Sequence, residues 1–166
     1  MARQLWLLRH AEAEPHGSRE DSARRLTERG EEQARAAGVA IARMGVSFDA
    51  VLYSPKVRAA QTAELAAEAW DDDQRERMAE HAPLAGGFEV ALALDALAGA
   101  GADGRVLLVG HEPDLSQLIA SLTGGRLDLK KGGLAGLRLD GSSAELAVLM
   151  RPRELALVAG LPVGRH

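Results

Sequence analysis

Apolar residues along this chain fall into a few kinds of run. Leu5-Trp6-Leu7-Leu8 and Val106-Leu107-Leu108-Val109 are continuous, with no polar alternation, and predict strands buried on both faces. Asp49-Ala50-Val51-Leu52-Tyr53-Ser54 predicts a further strand, and Arg77 to His81 a short one. Between them the period changes. Ala34, Ala37, Gly38, Ile41 and Met44 fall on one helical face, with Thr27 as a plausible N-cap and Gly45 just past the C-terminus. Ser54-Pro55 predicts the cap and first residue of a second helix, running to about Trp70 and ending at Asp71-Asp72-Asp73. Phe88 to Ala98 predicts a third helix. Leu115, Leu118, Ile119 and Leu122 mark a fourth, closed by Gly124-Gly125. Leu134 to Leu139 and Ala144 to Met150 flank Asp140-Gly141 as a hairpin, and Arg153 to Ala159 predicts a last short helix. Strand and helix alternate until that hairpin. The pattern predicts an α/β fold in three layers, α/β/α, around a mixed, mostly parallel central sheet.

Composition narrows the function classes. A length of 166 residues suits one domain, 1–166, with a sizeable core. Aromatic residues make up only 3%, so that core must be aliphatic. The formal net charge of −4 argues against nucleic-acid binding through an overall basic surface. Cysteine is absent, which excludes disulfides, thiolate catalysis and cysteine-ligated metals. The Leu5–Leu8 run is too short for a signal peptide, and Glu89 and Asp95 interrupt the longest candidate for a membrane span. No membrane association and a cytoplasmic location are the resulting expectations.

The chemistry sits at strand ends. Arg9 and His10 follow the first strand, Arg58 lies in the first turn after the second, and His111 follows Val106–Val109. If these strands are parallel neighbours, all four side chains reach one carboxyl edge, where open α/β sheets bind ligands. Two guanidiniums match phosphate or carboxylate as bidentate donors, and a histidine supplies a nucleophile or base near neutral pH. A metal site fits worse, because the arginines repel a cation. The loop from Ala11 to Arg25 is a candidate wall.

Four segments together resemble the histidine phosphatase superfamily, whose fold is phosphoglycerate mutase-like. They are Leu8-Arg9-His10-Ala11-Glu12, Leu26-Thr27-Glu28-Arg29-Gly30, Ser54-Pro55-Lys56-Val57-Arg58-Ala59-Ala60-Gln61-Thr62-Ala63 and Val109-Gly110-His111. Their order and spacing match from Leu5 to about Leu122, and the short chain and Arg-His-Ala-Glu form look most like the SixA-type, phosphohistidine phosphatase branch. The resemblance implies that His10 is transiently phosphorylated, that Arg9, Arg58 and His111 hold the phosphoryl group, and that neither metal nor cofactor is required. It places the general acid after the Arg58 helix, where Glu80 is preferred over Glu89; Glu12 is a third candidate.

The reading is thus a metal-independent phosphatase acting through phospho-His10, with phosphohistidine on a protein as the favoured substrate. A low-specificity phosphatase of small phosphate esters and a non-catalytic phosphate-binding module are the alternatives; a phosphosugar mutase has no supporting feature. The oligomeric state stays open, with a monomer among the options. His16 and His81 read as loop residues, His166 as a terminal one, Lys130 and Lys131 as a solvated turn, and Trp6 and Trp70 as packing residues.

Overall fold

A computed structural model describes residues 2–163. Within them lie β1 (Gln4–Arg9), α1 (Glu28–Arg43), β2 (Ala50–Tyr53), α2 (Val57–Ala67), α3 (Asp72–Glu76), β3 (Met78–Glu80), α4 (Val90–Ala98), β4 (Arg105–Gly110), α5 (Asp114–Thr123), β5 (Leu134–Asp140), β6 (Ser143–Met150) and α6 (Pro152–Ala159). The six strands form one sheet in the order β3-β2-β4-β1-β5-β6. The first four of that series run parallel, while β5 and β6 are antiparallel to their neighbours, so the sheet is mixed as the chain pattern predicts.

Continuous apolar strands need cover on both faces, and they have it. Trp6, Leu8, Leu107 and Val109 point into a core with Ala37, Ile41, Ala63, Trp70 and Leu155, from the side of α1, α2 and α6. Leu5, Leu7, Val106 and Leu108 point the other way, onto Leu97, Leu115 and Ile119 of α4 and α5. Aromatic residues are few but concentrated: Phe48 sits edge-on between Trp6 and Trp70, with ring centroids 6.2 and 6.0 Å away. The small residues of α1 and α2 let those helices approach closely. A Cβ at Gly38 would collide with the Ala66 carbonyl, and the Gly38 carbonyl accepts the Trp70 indole N–H at 3.2 Å.

Several boundaries differ from the sequence expectation. Ser54 and Pro55 lie outside α2, which begins at Val57 with Lys56 as its N-cap. The Ser54 hydroxyl accepts the Lys56 N–H at 3.2 Å and turns inward, where a helix cap would have kept it on the helix end. The second helix stops at Ala67, short of Trp70. The acidic run begins a helix instead of ending one: Asp71 caps α3 by accepting the Gln74 N–H at 2.9 Å. α4 starts at Val90, two residues after Phe88, and α6 starts at Pro152. His166 lies outside the described residues. Among the described residues no helix is long and apolar enough to cross a membrane.

Candidate active site

Sheet order settles which strand ends meet. β4 lies between β2 and β1, so the ends carrying Arg9-His10, His111 and the approach to Arg58 are adjacent. The ladder continues one step past β1, with the His10 N–H donating to the Gly110 carbonyl at 3.0 Å. The rings of His10 and His111 stand 5.3 Å apart. His10, Arg58 and His111 are all buried, and the charges of Arg9 and Arg58 bear on both histidines. The four residues singled out at strand ends therefore form one cluster.

Each is held by its own framework. The Nδ1–H of His10 donates to the Ala11 carbonyl at 2.8 Å. A carbonyl oxygen can only accept, so this contact puts the proton on Nδ1 and leaves Nε2 with a lone pair. Burial is the main cause that drives the His10 pKa down to about 3, and the charges of Arg58 and Arg9 add to it. His111 is lowered to about 4, again first by burial and then by Arg58 and Lys56. Both rings are neutral at ordinary pH. Arg9 anchors one guanidinium nitrogen on the Leu129 carbonyl at 2.9 Å. Arg58 donates to the Asp21 carbonyl at 2.8 Å and to its carboxylate at 3.3 Å.

The motif residues between these groups have structural tasks. Thr27 caps α1 by accepting the Gly30 N–H at 3.0 Å. Gly30 carries no side chain because a Cβ there would strike the Glu12 carbonyl, so the helix start can pack on the segment just after His10. Thr62 donates to the Arg58 carbonyl at 2.7 Å and accepts the Ala11 N–H at 3.1 Å, tying the His10 loop to α2. Gln61 accepts the Leu26 N–H at 2.8 Å and fixes the far end of the wall loop.

Asp21 was not singled out by the sequence. It lies in a short 3-10 turn, Asp21–Ala23, within the Ala11–Arg25 loop, and gathers Arg24, Lys56 and Arg58 around its carboxylate. Desolvation acts to raise its pKa, but hydrogen bonds from Arg24 and Lys56 and the charge of Arg58 outweigh it and hold the carboxyl well below the usual carboxylate range. Ser54 is the other omission: its Oγ lies 2.7 Å from His111 Nε2. The Ser-Pro pair was a visible signal, read as a helix cap.

The acid candidates are spread out. Glu80 ends β3 and is exposed, in register with Tyr53, which is itself in register with Val109. That puts it two strand spacings, roughly 10 Å, from Val109 along the same edge. Glu12 pairs with Arg29 at 3.1 Å. Glu89 is exposed at the N-cap of α4. His81 packs edge-on against Phe88 at 6.1 Å, and His16 lies on the surface 3.8 Å from Asp21. Lys130 pairs with Asp128 at 2.8 Å, and Lys131 is exposed. Among the described residues there is no group of three or more His, Cys, Asp or Glu placed to hold a metal ion.

Comparisons with known proteins point to one family. The family model for the histidine phosphatase superfamily, branch 1, matches residues 5–82. An uncharacterized protein of Picosynechococcus sp. strain PCC 7002 is 34% identical over 140 residues, covering 81% of this chain and 84% of that one. The structure of the protein histidine phosphatase SixA complexed with tungstate superimposes with a TM-score of 0.79 at 26% identity, over 92% of this chain and 99% of that one. The α-ribazole phosphatase of Shigella flexneri shares the fold, with a TM-score of 0.63 at 24% identity, over 90% of this chain and 96% of that one.

Proposed function

The chain belongs to the histidine phosphatase superfamily, and from that premise we propose that it is a metal-independent phosphatase that removes phosphate from phosphohistidine on a protein through phospho-His10. The observation that carries the reading is the His10 Nδ1 bond to the Ala11 carbonyl, which leaves Nε2 unprotonated and available. Nε2 attacks phosphorus in line with the leaving group. A nitrogen–phosphorus bond forms, the bond to the leaving nitrogen or oxygen breaks, and the leaving group takes a proton. Water then attacks the same phosphorus, the His10–phosphorus bond breaks, and inorganic phosphate leaves a neutral imidazole behind.

Arg9 and Arg58 supply charged donors where the equatorial oxygens gain charge, and neutral His111 adds a hydrogen bond there. Glu80 is the proposed proton donor to the leaving group, supported by its position on the same sheet edge. Protein phosphohistidine is favoured because its imidazole leaves readily once protonated and asks little of an exposed, distant acid. The fold likeness to SixA supports the same substrate class.

Trapping tests the proposal. Incubation with a phosphohistidine peptide should give an acid-labile, alkali-stable phosphoenzyme that is absent in His10→Ala. Turnover should survive chelators and be inhibited by vanadate or tungstate. A phosphoenzyme that persists in His10→Ala, or activity lost in a chelator and restored by a divalent metal, overturns it.

A further inference from the structure

Beside the phosphoryl site lies a second recess, of about 870 Å³, between the start of α1, the turn around Lys130 and α6. Arg29, Lys130, Arg151 and Arg153 line it, and none of its lining residues is acidic. Its floor is apolar and open: Leu157 is 73% exposed and Leu161 40% exposed. The recess shares a wall with the site. The Gly132 N–H donates to the His10 carbonyl at 3.0 Å, and a Cβ at Gly132 would touch Gln33 and Pro152, both part of the recess. Gln33 in turn accepts the Glu12 N–H at 3.0 Å.

This charge is local, because the chain as a whole carries −4. Three of the cations have carboxylate partners that do not line the recess: Arg29 with Glu12, Lys130 with Asp128 and Arg151 with Glu154. The side chains of Lys130 and Arg151 are more than half exposed. Exposed pairs hold their members weakly, so an arriving carboxylate exchanges with them at little cost. Exposed leucines beside clustered cations suit a partner that is both apolar and acidic. A polynucleotide would engage the cations and leave both leucines wet, whereas an acidic, amphipathic segment of protein uses both.

We propose that this recess docks an acidic, amphipathic segment of a phosphoprotein partner. Its carboxylates meet Arg29, Lys130, Arg151 and Arg153, and its apolar side chains cover Leu157 and Leu161. The shared wall at Gly132 then brings a phosphorylated side chain of the same partner to His10. The delivery of substrate rests on the phosphoprotein reading above, while the docking itself is tested separately.

The probes are a fluorescently labelled amphipathic peptide of Glu and Leu and its counterpart with Gln for Glu, titrated with the full chain and with R153E/L157E. Both substituted side chains are exposed, and circular dichroism with a melting curve checks the fold. By anisotropy the acidic peptide should bind about tenfold or more tightly than the Gln peptide, and R153E/L157E and high salt should abolish the difference. Equal binding of the two peptides, unchanged binding by R153E/L157E, or tighter binding of a single-stranded oligonucleotide than of the acidic peptide overturns the proposal. Peptides carrying one phosphohistidine should follow suit: kcat/KM for the acidic one should fall about tenfold in R153E/L157E while hydrolysis of a small phosphate ester is unchanged. Tight binding of the acidic peptide by a chain that cleaves esters but no phosphohistidine would uphold the docking and overturn the substrate reading instead.

Discussion

His111 Nε2 and Ser54 Oγ stand 2.7 Å apart, and the same oxygen accepts the Lys56 N–H. The hydroxyl keeps its proton and a second lone pair; when it donates that proton to Nε2, the His111 proton lies on Nδ1. Nδ1 is buried and without a protein hydrogen-bond partner. On the proposed mechanism, Ser54 favours the tautomer in which His111 donates to a phosphoryl oxygen. Ser54→Ala should lower kcat/KM by about tenfold, and Ser54→Thr should recover most of it. Imidazole ¹⁵N shifts provide the second readout, with His111 becoming a tautomer mixture in Ser54→Ala only.

Arg58 should be far more sensitive. On the proposed mechanism, Arg58→Ala removes a charged donor to the transition state and should cost about tenfold to a hundredfold or more in kcat/KM. Arg58→Lys should not restore it, because the planar fork holding the Asp21 carbonyl and carboxylate is lost. Near-normal turnover in Arg58→Ala would remove this residue from the site.

The histidines give a pH dependence with a definite sign. Each titrates near 6.5 when unfolded. Folded, His10 is lowered to about 3 and His111 to about 4. Between those values the unfolded chain binds more protons, so this contribution to stability is complete above about pH 6.5 and is lost as pH falls through 4 toward 3. Melting temperatures from about pH 7 down to pH 4 should fall more steeply for the parent chain than for a His10→Asn/His111→Asn double variant. Imidazole ¹⁵N shifts should show both rings neutral from about pH 8 to pH 5.

Glu80 is tested by leaving group. Glu80→Gln should slow hydrolysis of an alkyl phosphate ester more than that of phosphohistidine, since an alkoxide needs a donated proton more than an imidazole does. Equal slowing of both would count against a protein phosphohistidine phosphatase and leave a general phosphatase.

Packing offers a test away from the chemistry. Gly38→Ala places a methyl group against the Ala66 carbonyl at the α1–α2 contact. Overpacking of this kind should destabilise the fold by ~1–3 kcal/mol, measured by urea denaturation, and kcat per folded molecule should change little.

What the chain reveals before folding depends on how local the cause is. β1 and β4 were legible because a strand covered on both faces writes itself as an unbroken apolar run. The cap at Thr27 was legible because it acts within one turn of helix. His10 and His111 followed once those strands were placed. The Ser54 hydroxyl was misjudged because Ser-Pro looks the same whether the oxygen caps a helix or turns to a histidine 57 residues away. Asp21 was invisible for a related reason: it sits in a run of charges, and nothing local tells which acid folds back onto an arginine 37 residues later. The acid remains the least legible role, because Glu80, Glu12 and Glu89 stand in different surroundings that short-range pattern does not encode.

The carboxylate of Asp21 beside Arg58 also bears on how the enzyme resets. Arg58 already has an anion, so on the proposed mechanism an incoming phosphoryl group shares this guanidinium with a tethered competitor. On the same mechanism, that competitor is at hand to reclaim the guanidinium as inorganic phosphate departs. Free phosphate would meet the same rival at Arg58. On that reading, built-in rivalry weakens ground-state binding of the released ion and favours its quick clearance.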